Sequence, residues 1–121
     1  SPDYCYDLGW LDELGVDDDN IAFSMHVYPD RVFWQKYMPE YVSSYPVIVT
    51  EWGYADDDVE AENEKMNGTK NVFGIKFSHF MDKHESSWIA SSYNYKGDTP
   101  MFEKNFKGKT KWGEFVSELL E

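Results

Sequence analysis

Residues 47–50 (Val-Ile-Val-Thr) restrict the possible folds of this chain more than any other segment. All four side chains are β-branched, which favours extended backbone, and Pro46 precedes them. An apolar run without polar alternation is typical of a strand that is covered on both faces, as in parallel sheets whose strands are joined through helices. The run therefore predicts an α/β fold with this strand buried on both sides.

The segments around this run show alternating strand and helix patterns. Residues 21–28 form an apolar run between turn signals, which indicates an earlier strand. Apolar residues recur at helical spacing over residues 34–45, and Pro39 predicts a break or a restart of that helix. A second helix is predicted over residues 73–81, weakened near its start by Gly74.

The rest of the chain completes this alternation. Residues 55–70 predict an acidic loop with a short helix, residues 87–92 a third strand, and the C-terminal segment a helix capped by Thr110. Such an order implies parallel strands with right-handed crossovers. Three βα units fit either the last three units of an eight-stranded (β/α) barrel or half of an open doubly wound sheet.

Composition excludes several classes of function. The formal net charge of −12 argues against binding to nucleic acid or to an anionic membrane, and it is compatible with a neutral ligand such as a sugar. No apolar run reaches the length of a transmembrane helix. The 18% aromatic content fits either a ring-rich core or a surface that stacks on sugar rings. The chain starts at Ser1 without an initiator Met, and we expect it to be an excised or truncated segment.

Residues that could do chemistry follow the first two predicted strands. His26 and Tyr28 end the first strand, and their i, i+2 spacing places both side chains on one face. Glu51 follows the buried run. Burial of a carboxylate there costs free energy, so we expect it to be hydrogen-bonded or to have a function. Trp52 comes next, and Gly53 permits a sharp turn of the backbone after the strand. Each of these residues, taken singly, also has an ordinary structural explanation.

Two of these motifs together resemble catalytic strands of glycoside hydrolase family 5. Residues 20–29 (NIAFSMHVYP) resemble its sixth strand, where a His-x-Tyr pair lines the catalytic subsite. Residues 46–54 (PVIVTEWGY) resemble its seventh strand, where Thr-Glu-Trp-Gly carries the nucleophile. Residues 88–90 with 100–102 resemble the eighth strand and its loop, and residues 3–8 resemble the segment after the fifth strand. The two motifs are specific in combination, and each alone is weak.

The resemblance implies that residues 1–121 are the C-terminal part of a (β/α)8 TIM barrel, with strands 6 to 8 present and strands 1 to 5 absent. It implies retaining hydrolysis of β-linked polysaccharide, with β-1,4-glucan as the first expectation. Glu51 is then the nucleophile, Tyr28 its hydrogen-bond donor, and His26 the residue that positions the sugar or its leaving group. The residues expected to bind substrate are Trp52, Trp88 and Tyr93.

Further expectations follow from the same resemblance. No metal or organic cofactor is needed, the N-terminal remainder of the barrel is a partner, and the protein is secreted. The family's acid/base is a Glu preceded by Asn at the end of the fourth strand, whereas the only Asn-Glu pair here, Asn63-Glu64, lies in the loop after the second strand of this chain. We therefore expect the chain alone to be inactive.

Two other interpretations remain open: a non-catalytic carbohydrate-binding protein, and a piece of an unrelated α/β protein in which Glu51 is structural. A further departure from the family is Ser91, which occupies the position where members often carry a Trp at the end of the eighth strand.

Overall fold

The structure is a computed structural model that describes residues 8–15, 18, 20–30 and 33–121. Its sheet has the strand order β1-β2-β3, and both strand pairs are parallel. The strands are β1 (Phe23–Val27), β2 (Val47–Trp52) and β3 (Trp88–Ala90). The prediction of an α/β fold with parallel strands is therefore confirmed. The motif at residues 3–8 lies outside the described residues except for Leu8.

Helices precede, connect and follow the strands. They are α1 (Leu11–Leu14), α2 (Phe33–Lys36), α3 (Met38–Ser44), α4 (Ile75–Lys83) and α5 (Lys111–Leu120). The predicted interruption near Pro39 is confirmed, because α2 ends at Lys36 and α3 begins at Met38. Pro39 lies in the first turn of α3, where its missing N–H costs no helical hydrogen bond. None of the helices in the described part of the chain is long and apolar enough to span a bilayer.

Short non-α turns fill the connections. Glu64–Met66 and Lys104–Phe106 form 3₁₀ turns, and Lys70–Gly74 forms a π turn that leads directly into α4. The predicted cap of the last helix is confirmed, because Oγ1 of Thr110 accepts a hydrogen bond from the backbone N–H of Gly113. This bond satisfies one of the free N–H groups in the first turn of α5.

The core lies between the sheet and the helices and is rich in aromatic rings. Trp52 is fully buried there, with its ring centroid 4.9 Å from that of Trp112 and 5.3 Å from that of Phe77. These contacts have edge-on geometry, which suits aromatic pairs because the positive edge of one ring meets the negative face of the other. The helices α4 and α5 are therefore held against the same face of β2.

The opposite face of β2 is only partly covered. Val47, Val49 and Trp52 are buried, whereas Ile48, Thr50 and Glu51 are partly exposed. The prediction that this strand is buried on both sides is wrong for this structure, because the helical core lies on the face that carries Val49 and Trp52.

Candidate active site at the ends of the first two strands

A β-bulge determines where the side chain of Glu51 points. Met25 pairs with Val49 and His26 pairs with Glu51, so Thr50 is an extra residue in β2. The register between β2 and β3 shifts over the same stretch. A bulge interrupts the strict alternation of side chains between the two faces of a strand. As a result, two consecutive residues, Thr50 and Glu51, both lie on the partly exposed face.

Contacts to β1 confirm that these two side chains share a face. The hydroxyl groups of Ser24 and Thr50 are hydrogen-bonded to each other, and His26 contacts Glu51. Ser24 and His26 are two residues apart on β1 and therefore project from the same face. The polar face of the strand pair thus consists of Ser24, His26, Thr50 and Glu51. Sequence reasoning missed Ser24 and Thr50, although the i, i+2 spacing of Ser24 from His26 was a signal for them.

Glu51 is the centre of this group. The hydroxyl of Tyr28 donates a hydrogen bond to Oε1 of Glu51, and Nδ1 of His26 lies 3.4 Å from Oε2. The side chains of His26 and Glu51 are 26% and 38% exposed, while Tyr28 is almost completely buried. The expected convergence of these three residues is therefore confirmed. Tyr28 therefore fixes Oε1, His26 lies beside Oε2, and the carboxylate stays accessible from solvent.

Two of the residues expected to bind substrate lie on the other face of the sheet. Trp52 is fully buried, and Trp88 pairs in register with the buried Val49. The rings of Trp52 and Trp88 contact each other edge-on at 5.5 Å. We therefore correct the assignment of Trp52, which packs between the sheet and the helices, whereas Trp88 is partly buried against Trp52 and its role in binding stays a prediction. The physical reason is the bulge, which returns Trp52 to the helix-facing side directly after Glu51.

The loop that follows β3 starts close to the end of β2. The backbone N–H of Ser91 donates to the carbonyl oxygen of Trp52, and the carbonyl of Ser91 accepts from Thr99. A Cβ atom on Gly53 would lie 2.7 Å from that carbonyl and 3.1 Å from the side chain of Thr99. Gly53 is therefore required for this close approach. Tyr93, the third residue expected to bind substrate, lies in this loop and is 78% exposed.

The acidic residues of the loop after β2 have structural partners. The side chain of Lys111 pairs with Asp56 and Asp57, and its backbone N–H donates to Asp58, so this acidic run meets the N-terminus of α5. The hydrogen bond to Asp57 raises the pKa of Lys111. Within the described ranges, no group of three or more His, Cys, Asp or Glu side chains is placed to hold a metal ion.

The Asn63-Glu64 pair is not at a strand end. Glu64 begins a 3₁₀ turn, and Asn63 caps it, because its side chain accepts from the backbone N–H of Lys65. The backbone N–H groups of Glu62 and Asn63 both donate to the carboxylate of Asp98. These bonds give Asn63 a role in shaping the loop.

Solved structures share this fold, whereas no family model matches the sequence and no curated protein matches it. The β-glucanase SdGluc5_26A from Saccharophagus degradans, in complex with cellotetraose, aligns with a TM-score of 0.78 at 19% identity. Its native form aligns with a TM-score of 0.78 at 20% identity. Each alignment covers 95% of this chain and 38% of the β-glucanase chain. The chain therefore has the fold of a segment that makes up 38% of that enzyme's length.

Proposed function

We propose that this chain supplies the nucleophile-bearing part of a retaining glycoside hydrolase that acts on β-linked polysaccharide. The observation that carries the proposal is the position of Glu51, a partly exposed carboxylate that a bulge turns toward the Tyr28 hydroxyl and the His26 imidazole. The shared fold with a segment of a β-glucanase supports the same function.

In the proposed reaction, Glu51 attacks the anomeric carbon while the glycosidic bond breaks, and a covalent glycosyl-enzyme forms. A second carboxyl group protonates the departing oxygen and then removes a proton from the water that releases the sugar. Tyr28 holds one oxygen of Glu51 so that the other faces the sugar. His26 positions the sugar or its leaving group. The reaction requires no metal or organic cofactor.

The second carboxyl group must lie about 5 to 5.5 Å from Glu51 in a retaining enzyme. Glu64 does not meet the family pattern, because it begins a 3₁₀ turn that Asn63 caps and does not follow a strand. We therefore assign the acid/base to the N-terminal remainder of a (β/α)8 barrel, in which β1, β2 and β3 are strands 6, 7 and 8. The first expected substrate is a β-1,4-glucan, in keeping with the cellotetraose bound to the β-glucanase of similar fold. The enzyme is proposed to be secreted.

One observation favours a second candidate function for the chain by itself. The Asn63-Glu64 pair shapes the loop after β2 and does not supply the acid/base. The alternative is therefore that the chain binds carbohydrate without hydrolysing it.

The test uses the complete polypeptide that contains these residues and a 2-deoxy-2-fluoro cellobioside, which slows release of a covalent glycosyl-enzyme. Peptide mass mapping is expected to find the sugar on Glu51. Glu51→Gln is expected to lose labelling and to lower turnover of β-1,4-glucan by several orders of magnitude, since the covalent route is closed.

Glu64→Gln is the matched control, because Glu64 is an exposed carboxylate in the loop after β2, and we expect it to leave turnover unchanged. Labelling of a different residue, or a Glu51→Gln variant within about tenfold of the parent rate, would overturn the assignment of the nucleophile.

A further inference from the structure

Residues 67–69 (Asn-Gly-Thr) carry a sequence pattern that the proposed function does not use. Asn followed two positions later by Ser or Thr, with any residue except Pro between them, is the acceptor pattern for N-linked glycosylation. The chain contains six Asn residues, and Asn67 alone is part of this pattern. Such triplets also occur by chance, so the surroundings of Asn67 in the fold must show whether it is suited to modification.

The triplet lies on the surface of the loop between β2 and α4. Asn67 directly follows the 3₁₀ turn of residues 64–66, and Thr69 directly precedes the π turn that leads into α4. Both residues are exposed. An attached oligosaccharide is bulky and hydrophilic, so it requires a surface position of this kind.

The backbone directs the side chains of Asn67 and Thr69 away from the body of the protein. Both residues have extended backbone, with φ and ψ of −65° and 127° at Asn67 and of −133° and 161° at Thr69. Side chains two positions apart on extended backbone project to the same side. Gly68 lies between them and faces inward, because a Cβ atom there would lie 2.5 Å from Cγ of Pro29 and 3.3 Å from Cβ of Tyr54. The acceptor Asn and its Thr therefore share the side that faces solvent.

The backbone of Asn67 is held in place, whereas its side chain is not. The backbone N–H of Ala55 donates to the carbonyl of Met66 at 2.8 Å, and the N–H of Gly68 donates to the carbonyl of Ala55 at 2.9 Å. These two bonds form a parallel bridge between Ala55 and Asn67. No described residue is hydrogen-bonded to the side-chain amide of Asn67. A substituent on the amide nitrogen therefore breaks no contact of the fold.

Other exposed Asn side chains of the chain shape the backbone around them. The side chain of Asn63 accepts a hydrogen bond from the N–H of Lys65, and that of Asn94 accepts one from the N–H of Tyr95. Such local bonds are the usual structural reason for an Asn in a loop. Asn67 makes no bond of this kind to the described residues, so this reason does not apply to it.

We propose that Asn67 is a modification site that carries an N-linked oligosaccharide. In the reaction, the amide nitrogen of Asn67 forms a bond to the anomeric carbon of a lipid-diphosphate-linked oligosaccharide. The bond from that carbon to the diphosphate oxygen breaks, the lipid diphosphate leaves, and the nitrogen loses one proton. The oligosaccharide donor and its transferase belong to the secretory pathway of eukaryotic cells, so this inference rests on the secretion that is part of the proposed function.

The oligosaccharide is expected to leave the candidate active site unchanged. The loop that carries it contacts the residues after Tyr28 through its backbone and through Gly68: the N–H of Asp30 donates to the carbonyl of Lys65 at 3.3 Å, and Pro29 packs against Gly68. None of these contacts involves the side chain of Asn67. Variants that lose the oligosaccharide should therefore keep the parent's turnover of β-1,4-glucan.

The test uses the complete polypeptide that contains these residues, secreted from cultured mammalian cells behind a signal peptide. Peptide N-glycosidase converts a glycosylated Asn to Asp, and in water labelled with heavy oxygen it introduces the isotope into the new carboxylate. Peptide mass mapping is expected to find the isotope at Asn67 and at no other Asn of residues 1–121.

Asn67→Gln and Thr69→Ala are each expected to abolish the isotope label, because the first removes the acceptor and the second removes the hydroxyl of the pattern. Thr69→Ser keeps that hydroxyl and the bond that it accepts from the N–H of Val72, and it is expected to retain the label. Asn63→Gln is the matched control, because it changes an exposed Asn of the same loop outside the pattern and should leave the label on Asn67.

Unlabelled Asn67 in the secreted parent would overturn the inference, and so would a label that persists in Thr69→Ala. Unmodified Asn67 in the polypeptide isolated from its natural source would overturn it as well. The fluorinated cellobioside separates the two proposals. A sugar on Glu51 with Asn67 unmodified refutes only the glycosylation, whereas a modified Asn67 without a sugar on Glu51 refutes only the assigned nucleophile.

Discussion

The hydroxyl of Tyr28, in the residue directly after β1, donates a hydrogen bond to Oε1 of Glu51 on the neighbouring strand β2. The donor residue is 4% exposed, while the side chain of the acceptor is 38% exposed. The fold therefore determines the orientation of the carboxylate from the buried side, and the group remains accessible from the other side.

If the proposed function is right, Tyr28→Phe in the complete polypeptide is expected to lower kcat by about tenfold to a hundredfold, since it removes one donor worth about 1 to 3 kcal/mol to a carboxylate. The effect should be much smaller than that of Glu51→Gln, which removes the proposed attacking group itself. Steady-state kinetics of both variants on β-1,4-glucan checks the order. A Tyr28→Phe variant that is more damaged than Glu51→Gln would contradict the roles assigned here.

The hydrogen bond between Ser24 and Thr50 is expected to stabilise the bulge. Ser24→Ala and Thr50→Val should each lower the free energy of unfolding by about 1 kcal/mol, and Thr50→Val retains the β-branched shape of the side chain. Because both changes remove the same bond, the double variant should be less destabilised than the sum of the two. Urea denaturation of the four proteins measures this coupling, and strictly additive values would mean that the bond contributes nothing.

Gly74→Ala provides a test in which helix propensity and packing predict changes of opposite sign in the free energy of unfolding. Ala is favoured over Gly in a helix by about 1 kcal/mol. However, a Cβ atom at this position would lie 2.7 Å from a ring carbon of Phe115 and 3.0 Å from one of Tyr54. We expect packing to prevail, with a loss of about 1 to 3 kcal/mol in the free energy of unfolding. A higher thermal midpoint for Gly74→Ala would show that α5 moves aside without cost.

Tyr54→Phe is expected to stabilise the protein by about 1 kcal/mol, because the buried hydroxyl of Tyr54 has no hydrogen-bond partner among the described residues. Burial, together with the nearby carboxylates of Asp56, Asp58 and Glu118, raises the pKa of Tyr54 well above its ordinary value. The folded state therefore keeps this proton at pH values where the unfolded chain releases it. Ionisation of Tyr54 therefore does not affect the free energy of unfolding below the ordinary pKa of a Tyr. Above that value the unfolded chain ionises first, and the free energy of unfolding of the parent falls as the pH rises.

The difference in unfolding free energy between Tyr54→Phe and the parent should consequently increase above about pH 10, where an unfolded Tyr ionises. Denaturation from about pH 8 to about pH 11 measures it. A difference that does not change over this range would contradict the effect of burial on Tyr54.

The 121-residue chain is expected to self-associate. β1 and β3 are the outer strands of the described sheet, and unpaired strand edges favour association. A cavity of about 560 Å³ lies next to β3, lined by Trp88, Met101, Val116 and other residues, and Leu120 at its border is 73% exposed. Light scattering after size-exclusion chromatography should find species larger than the monomer. A monodisperse monomer with a cooperative thermal transition would be the opposite result.

Several features of the fold could be predicted from the sequence because local interactions determine them. The β-branched run before Glu51 favours a strand, Pro39 interrupts a helix, and Thr110 caps one through its own hydroxyl. The proximity of Tyr28 to Glu51 was also predictable. The carboxyl ends of neighbouring parallel strands lie at the same edge of a sheet, so residues that end both strands must meet.

Only the tertiary structure decided which face of the sheet each side chain occupies near the end of β2. Alternation with a period of two fails at the bulge, and the bulge depends on how residues 23–27 pair with residues more than 20 positions later in the chain. For that reason the sequence alone misplaced Trp52 beside a ligand, although it packs against the helices. Gly74 is similar: its helix propensity is a local property, whereas its contacts with Tyr54 and Phe115 arise only when α5 folds back onto the π turn.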